Sequence, residues 1–516
     1  MSWLCAAVLL TLVTELLWLH HPFTYEHSWH ASDQAVMARN FLKHGVLGLR
    51  AVPLRNNLPL GAEPDTYIHW PPLAPILLSV VFRLAGQSEA AYHSWSLVLL
   101  VAFCAALYAV IRQRYGPREG WIAVFAALTL PVTVGYSHAL GNTSLTLALE
   151  LASLLAFMKA TAGTRIHPAW APLGCAGVVL AVSTSWFALM LPPGLLAVAL
   201  WRRDRGQIRL ALLYGAVAAV TGAGVIALYL STSPELTENL WRTVQHRMNL
   251  ADFGVAEFRV HTVVDQTQFV HRVTIPRTLW AALWSALSML GLLPVIATAT
   301  VLAAGWSFRR RIAHESAYML FAGLYGPGLL WIAAMPQHVY HHNIAMQLLV
   351  PTASAALGVC GGGLLDATAR VRDDDLRRVL RAVSLVILPA LMLLPLLQSL
   401  DVRRDPAASS IDWIAYSHDI KHATPPEAIV MVPTTSMVPV YYSERHLIRG
   451  VTDPALIRQV DSRLPTLFPG APSYFALPTV SVGSSRFRRL ETEFPLVKET
   501  AALRLYAVRP RGDNGQ

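Results

Sequence analysis

Cysteine is nearly absent from this chain, and its four residues, Cys5, Cys104, Cys175 and Cys360, all fall inside hydrophobic segments. That placement excludes a disulfide-stapled secreted fold and a cysteine metal site. Charge is scarce too, at 14% of residues, which is too little for one soluble domain of this length. The start, Met-Ser-Trp-Leu-Cys-Ala-Ala, lacks a basic leader and a small-residue cleavage site after its apolar stretch, so it reads as a retained first span rather than a signal peptide. No repeat of fixed period is evident. Gly361-Gly-Gly363 has no following Lys-Ser or Lys-Thr and no strand before it, so it reads as span packing rather than a phosphate-binding loop.

What is present in abundance is apolar sequence: 54% of the 516 residues are hydrophobic. The runs recur near the roughly 20 residues a bilayer requires. They give about eleven candidate spans, near 2–20, 92–111, 120–136, 142–160, 169–184, 186–201, 210–230, 279–304, 315–334, 343–364 and 383–400. The net charge of +10 sits in the short links between them, not on one amphipathic face, which argues against nucleic acid as a partner. The basic links 112–118, 159–165, 202–209, 309–311 and 370–381 all fall on one side under this assignment. Lys and Arg near span ends are retained in the cytoplasm, so the expected orientation is N-terminus in and C-terminus out. The weakest point is the pair 169–184 and 186–201, where Ser183-Thr-Ser185 offers little turn.

Four segments then lie outside: the first loop 21–91, the long loop 231–278, the link 335–342 and the tail 401–516. In the first loop, Ala35, Met37, Ala38, Phe41 and Leu42 recur at near-helical spacing behind Ser32 as a cap, with Asp33 in the first turn. The segment reads as a helix lying in the membrane interface, with a second such helix over Pro72 to Leu84. Beyond residue 400 the apolar runs shrink to strand length, as in Ala428 to Pro433 and Leu503 to Val508. The fold class is therefore a polytopic α-helical membrane protein over 1–400 with a small α/β domain over 401–516.

Asp33 is the first candidate for chemistry. An acid at the start of a helix has an ordinary explanation in the helix dipole, but Trp29, His27 and His30 beside it offer a flat apolar wall and titratable donors suited to a sugar ring. Glu150 sits in mid-span, where a charge is costly; it stands either as a functional group or as a protonated acid bonded to a neighbouring span. His338, His341 and His342 lack a nearby acid or cysteine, so they read as interfacial histidines that meet phosphate rather than as a metal site. Tyr340 suits an aromatic belt.

The string Trp29-x-x-x-Asp33-x-Ala-x-x-Ala-Arg39-Asn40-Phe41 is similar to the first-loop motif of the GT-C membrane glycosyltransferases. The protein O-mannosyltransferase and lipid A aminoarabinose transferase group, glycosyltransferase family 39, is the nearest in kind. Tyr67-Ile-His69-Trp-Pro-Pro-Leu-Ala-Pro75 resembles the aromatic lead into the family's second interfacial helix. His338-Val-Tyr340-His341-His342 resembles its His-x-Tyr-Tyr segment, and Thr424 to Arg445 the tail of bacterial members. The resemblance implies an inverting transfer of a sugar from a polyprenyl-phosphate carrier to an acceptor hydroxyl at the outer face of a bacterial inner membrane. It makes Asp33 the general base and requires no redox cofactor, leaving a divalent metal open. The expected substrate-binding set is Trp29, His30, Arg39, Asn40, Tyr67, His69, Asn142, Arg247, Arg259, His338, Tyr340 and His341. The basic and aromatic residues of the long loop read mostly as a solvated face or headgroup contacts, with Arg247 and Arg259 the candidates to close over the carrier phosphate. The chain departs from the pattern at His30, where members often carry Arg, and at Asn142, where many carry a second acid. A transporter or flippase, or a non-catalytic subunit binding lipid-linked sugars, stays open as an alternative. A transporter should gather ionisable groups at the membrane midplane, whereas here the polar residues gather in loops.

Overall fold

A computed structural model describes residues 8–509 except 10, 11, 14, 15, 24–27, 58–64, 137–140, 164, 233–239, 242, 243, 246, 249–257, 260, 261, 264–274, 291, 293, 298–314, 337–342, 380, 381, 383–410 and 482–489. In chain order the principal helices up to residue 369 are α1 (Ser28–His44), α2 (Leu73–Ala85), α3 (Glu89–Tyr115), α4 (Pro117–Thr129), α5 (Pro131–Tyr136), α6 (Gly141–Ala160), α7 (Trp170–Val182), α8 (Leu191–Arg202), α9 (Arg205–Leu230), α10 (Ile275–Met289), α11 (Glu315–Ala334) and α12 (Val350–Ala369). Four described stretches are long and apolar enough to cross a membrane: Glu89–Tyr115, Gly141–Ala160, Arg205–Leu230 and Ala345–Ala369. The expected span 383–400 lies outside the described residues.

Local chemistry sets the helix limits. Ser88 accepts a hydrogen bond from the Ala91 N–H (3.2 Å) to open α3, Arg112 and Arg114 occupy its last turn, and Gly116 closes it at φ 117°, a conformation that costs glycine least. Pro117 then starts α4, where its missing N–H is no loss. The apolar run 120–136, read above as one span, breaks at Leu130, which is extended (φ −64°, ψ 134°). Pro131 follows it, and a proline disfavours helical backbone at its predecessor. The weak turn at 183–185 does form: the Ser185 hydroxyl accepts from the Phe187 N–H at the start of a 3-10 turn, Trp186–Met190, and the Ser183 carbonyl accepts from the Leu73 N–H (3.0 Å). The 183–185 turn therefore sits at the same end of the helices as the first loop. At another junction Arg118 reaches Asp366 (2.9 Å), which joins the link before α4 to the end of α12. The basic links 112–118 and 370–381 thus share one end.

The tail packs onto this body through a seven-stranded sheet ordered β1-β2-β4-β3-β5-β7-β6. Its strands are β1 (Phe258–Arg259), β2 (Thr262–Val263), β3 (Ile429–Val432), β4 (His446–Arg449), β5 (Ser473–Pro478), β6 (Leu496–Glu499) and β7 (Leu503–Arg509). The central strands β4, β3 and β5 run parallel, and helix α13 (Trp413–Ala423) and α14 (Val438–Ser443) accompany them. Two strands come from the long loop 231–278 rather than from the tail, so the sheet is not confined to residues after 400. Phe23, fully buried, makes edge contacts with Tyr92 on α3 (5.3 Å) and Tyr441 on α14 (4.9 Å), and its N–H donates to the Tyr442 hydroxyl (3.0 Å). One hydrophobic core therefore runs from the helices into the tail.

Helix α12 approaches α4 closely through its glycines, as the packing reading of Gly361–Gly363 expects. A Cβ on Gly358 would stand 2.7 Å from the Glu119 carbonyl oxygen, an atom that backbone rigidity keeps in place. Gly358→Ala is expected to push the two helices apart at a cost of about 1–3 kcal/mol, read as a lowered thermal midpoint of the detergent-solubilised protein.

Candidate functional site

Helix α1 begins at Ser28, four residues before the expected cap. Ser32 lies inside it and turns its hydroxyl back to the Ser28 and Trp29 carbonyls (both 3.0 Å), the back-bonding a serine makes when it sits within a helix rather than at its cap. Asp33 consequently falls beyond the first turn, which holds no acid, and the helix-dipole explanation of it loses its geometry. Nor does α1 lie open on an interface: residues 30–38 are buried without a break, covered by α2, α14 and the rest of the first loop.

Two extended segments of that loop, 53–57 and 65–67, form a small antiparallel ladder. Leu54 bridges Thr66, the Arg55 N–H donates to the Asp65 carbonyl (2.8 Å) and the Tyr67 N–H to the Pro53 carbonyl (2.9 Å). Asn40 fixes the ladder to α1, its amide donating to the carbonyls of Leu54 (2.9 Å) and Asn56 (2.8 Å). Between those two anchors Arg55 is aimed at α1, and its Nε donates to Asp33 Oδ1 at 2.8 Å. The second oxygen, Oδ2, is buried and has no hydrogen-bond partner among the described residues.

A second ion pair stands behind the first. Arg449, at the end of β4, meets Asp65 Oδ2 at 3.2 Å with its side chain 2% exposed, and its other guanidinium nitrogen donates to the Thr435 carbonyl (3.0 Å). Two carboxylates and two guanidiniums thus share one buried cluster whose formal charges cancel. The Asp33 carboxyl is pushed above its ordinary range: burial is the largest cause, Arg55 and Arg449 oppose it, and Asp65 adds to the rise. Burial likewise lowers Arg449, with Arg55 adding, to about 10, which leaves it charged at neutral pH.

Around this cluster lies an aromatic and cationic wall. Arg55 stands over the Tyr67 ring at 5.0 Å, and the buried Tyr67 phenol is raised by that burial and by Asp33, with Arg55 and Arg247 opposing. Tyr67 also meets the His69 ring (5.3 Å). Arg247, from the long loop, sits over the Trp70 ring at 5.7 Å, and the Trp70 carbonyl accepts from the Tyr229 hydroxyl (2.8 Å). Arg247 has no carboxylate contact among the described residues, and it brings positive charge beside the neutral cluster.

Of the residues expected from the sequence, the structure gathers Asp33, Tyr67, His69 and Arg247. His30 is buried one turn before Asp33, with Trp29, partly exposed, edge-on to it (5.6 Å). Asn40 holds the ladder. Arg39 turns instead to the tail, donating to the Tyr441 carbonyl (3.1 Å) and lying 4.4 Å over the Tyr441 ring. Asn142 opens α6, buried, with its side-chain oxygen unpartnered among the described residues. Arg259 has only its backbone placed, in β1; His338, Tyr340 and His341 lie outside the described residues. Sequence reading missed Arg55, Asp65 and Arg449. Asp33 is not a lone acid. Nothing in the sequence marked them: Arg449 ends the short run His446-Leu-Ile-Arg449, itself flanked by Glu444 and Arg445.

Residues 69–229 match the family model described as dolichyl-phosphate-mannose-protein mannosyltransferase. No curated protein sequence matches the chain. Among solved structures it is similar to ArnT from Cupriavidus metallidurans bound to undecaprenyl phosphate, at 14% identity and a TM-score of 0.63 over 98% of both chains. It is also similar to the oligosaccharyltransferase AglB from Archaeoglobus fulgidus in complex with an inhibitory peptide and a dolichol-phosphate, at 11% identity and a TM-score of 0.57 over 93% of this chain and 70% of that one. The architecture is that of a helical membrane protein that shares the fold of these two structures. The family-model match over residues 69–229 begins at His69 and ends at Tyr229, two of the residues that surround the cluster.

The buried pair has a direct test. Arg55→Gln leaves Asp33 as an uncompensated buried charge, and breaking such a pair costs about 3–5 kcal/mol. The deficit is expected to shrink as pH falls and Asp33 takes up a proton, and to be largely restored in the double variant Asp33→Asn/Arg55→Gln. Chemical denaturation of the four proteins of this cycle reads it.

Proposed function

We propose that this chain is an inverting glycosyltransferase that moves a sugar from a polyprenyl-phosphate carrier to an acceptor hydroxyl at the outer face of a bacterial inner membrane. The observation that carries the reading is a fully buried carboxylate, Asp33, with one oxygen fixed on Arg55 and the other without a hydrogen-bond partner among the described residues, on a GT-C fold. A polyprenyl-phosphate donor is supported by the lipid phosphates bound in the two similar structures. The outward orientation rests on the basic links, two of which meet at the end where Arg118 pairs with Asp366.

In this reading Asp33 Oδ2 accepts the proton of the acceptor hydroxyl as its oxygen bonds to the anomeric carbon, while the bond from that carbon to the phosphate oxygen breaks and the electron pair leaves with the carrier phosphate. The phosphate departs as an anion, so the site needs cations near it but no strong acid. Arg247 supplies positive charge, and Arg55 keeps Asp33 oriented. Trp29 and Tyr67 present faces suited to a sugar ring.

Burial makes Asp33 a better base than an exposed aspartate, because raising its pKa toward the working pH strengthens proton acceptance. A raised carboxyl loses its basic form as pH falls through the raised value. Transfer is therefore expected to decline on the acid side along a limb centred above about 4, the ordinary carboxylate value. Asp33→Asn keeps an acceptor for Arg55 but removes the base, and should reduce transfer from a labelled polyprenyl-phosphate sugar by about 10²–10⁴-fold. Undiminished transfer in a folded Asp33→Asn variant would remove Asp33 as the base, whereas absence of transfer by the unaltered protein would instead point to a transporter or a binding subunit.

A further inference from the structure

The tail meets the Asp33 site through side chains whose geometry exceeds what docking alone requires. Asn56 presents its amide to Leu447 of β4 as another strand would: its Nδ2 donates to the Leu447 carbonyl (2.9 Å) and its Oδ1 accepts from the Leu447 N–H (3.0 Å). The same Nδ2 lies 3.3 Å from Asp65 Oδ2, the oxygen that Arg449 engages. Asn57 adds bonds to the carbonyls of Val440 (2.7 Å) and Arg445 (3.1 Å). Arg55 lies between these anchors and Asn40, so strand β4, the ladder and Arg55 form one connected path to Asp33. Arg449 is otherwise expensive to keep: a guanidinium on a buried strand forfeits its hydration, and its Nε has no hydrogen-bond partner among the described residues.

We infer that Arg449 is a positioning residue for the proposed reaction, delivered by the tail sheet to fix Asp65 and the Arg55 ladder and to set the charge that Asp33 experiences. The inference deepens the proposed function and rests on Asp33 as the base. The tail in this account is part of the site's machinery and not a passive cap.

The groups facing Asp33 are Arg55, Asp65 and Tyr67 from the first loop, Arg449 from β4 and Tyr92 from α3. Of these, Arg449 and Asp65 act on Asp33 with opposite signs and stand against each other. Arg449→Gln leaves Asp65 uncompensated, adds net negative charge near Asp33 and raises its titration midpoint. Asp65→Asn leaves Arg449 uncompensated and lowers it. Shifts of about one pH unit are expected for charges at this range, and Arg449→Lys, which keeps the charge, should leave the midpoint near that of the unaltered protein while lowering the transfer rate.

The experiment follows the acid limb of transfer in the full-length protein and, separately, the Asp33 carboxyl band by infrared difference spectroscopy against Asp33→Asn. Opposite displacements in Arg449→Gln and Asp65→Asn support the inference. A midpoint unmoved in both, or moved in the same direction, overturns it and leaves Arg449 as a fold-stabilising residue whose loss lowers yield alone. If Arg449→Gln does not fold, Asp65→Asn decides: its midpoint must fall. Because the infrared band needs no turnover, failure of the proposed reaction would show as full transfer in Asp33→Asn with the displacements intact, whereas failure of this inference would show as lost transfer in Asp33→Asn with no displacement.

Discussion

The bond from Arg55 to Asp33 is the constraint on which the rest of this end of the molecule depends. A carboxylate without exposed surface survives as a charge only beside a cation, and that cation must be held so that it satisfies one oxygen and not both. The ladder of residues 53–57 and 65–67 does this. Its register is set by Asn40 on one side and by Asn56 against β4 on the other, so the arginine between them has little freedom in where it points. Two asparagines serve here because an amide offers donor and acceptor together without adding charge to a region already holding four.

The second pair follows from the first. One Arg–Asp pair inside a protein gains little over apolar packing, and bringing Asp65 close would raise Asp33 further without a matching cation. Arg449 supplies it. Strand β2, from the long loop, pairs with β4 at this same residue, Thr262 opposite Arg449, so three segments distant in sequence converge on one residue. The first loop, the long loop and the tail are structurally one assembly, joined also by the aromatic contacts of Phe23, Tyr92 and Tyr441.

Much of the helical body was legible because its signals are local. The apolar runs 92–111, 142–160 and 210–230 fall within the helices Glu89–Tyr115, Gly141–Ala160 and Arg205–Leu230. The strand-length runs 428–433 and 503–508 became β3 and β7 for the same reason. The break at Leu130 was visible in Pro131 but hidden by continued hydrophobicity, which reports burial rather than backbone geometry. Asp33 stood out by its neighbours. Its partners did not, because an ion pair between residues on different elements leaves no periodic or compositional trace; Arg55 and Asp65 read alone as ordinary loop charges. The helix turn ahead of Ser32 was missed because a serine before an apolar-periodic run ordinarily marks a cap, whereas Ser32 bonds back to the carbonyls of Ser28 and Trp29.

The placement of the cluster relative to the sheet follows a general rule of open α/β folds. In such sheets ligands gather outside the carboxyl ends of parallel strands, where the order reverses and adjacent connections diverge. Here β3 has β4 on one side and β5 on the other, and the chain leaves β3 for β4 before crossing to β5. Arg449 stands at the carboxyl end of β4, and Thr435, whose carbonyl it engages, follows the carboxyl end of β3. The edge that a soluble domain would leave open to a ligand is turned toward the first loop, and its occupant is the loop's own Asp65. A membrane protein whose reacting groups lie in loops faces the problem of holding those loops still, and a sheet edge shaped to grip polar groups solves it with the chain's own carboxylate in the ligand's place.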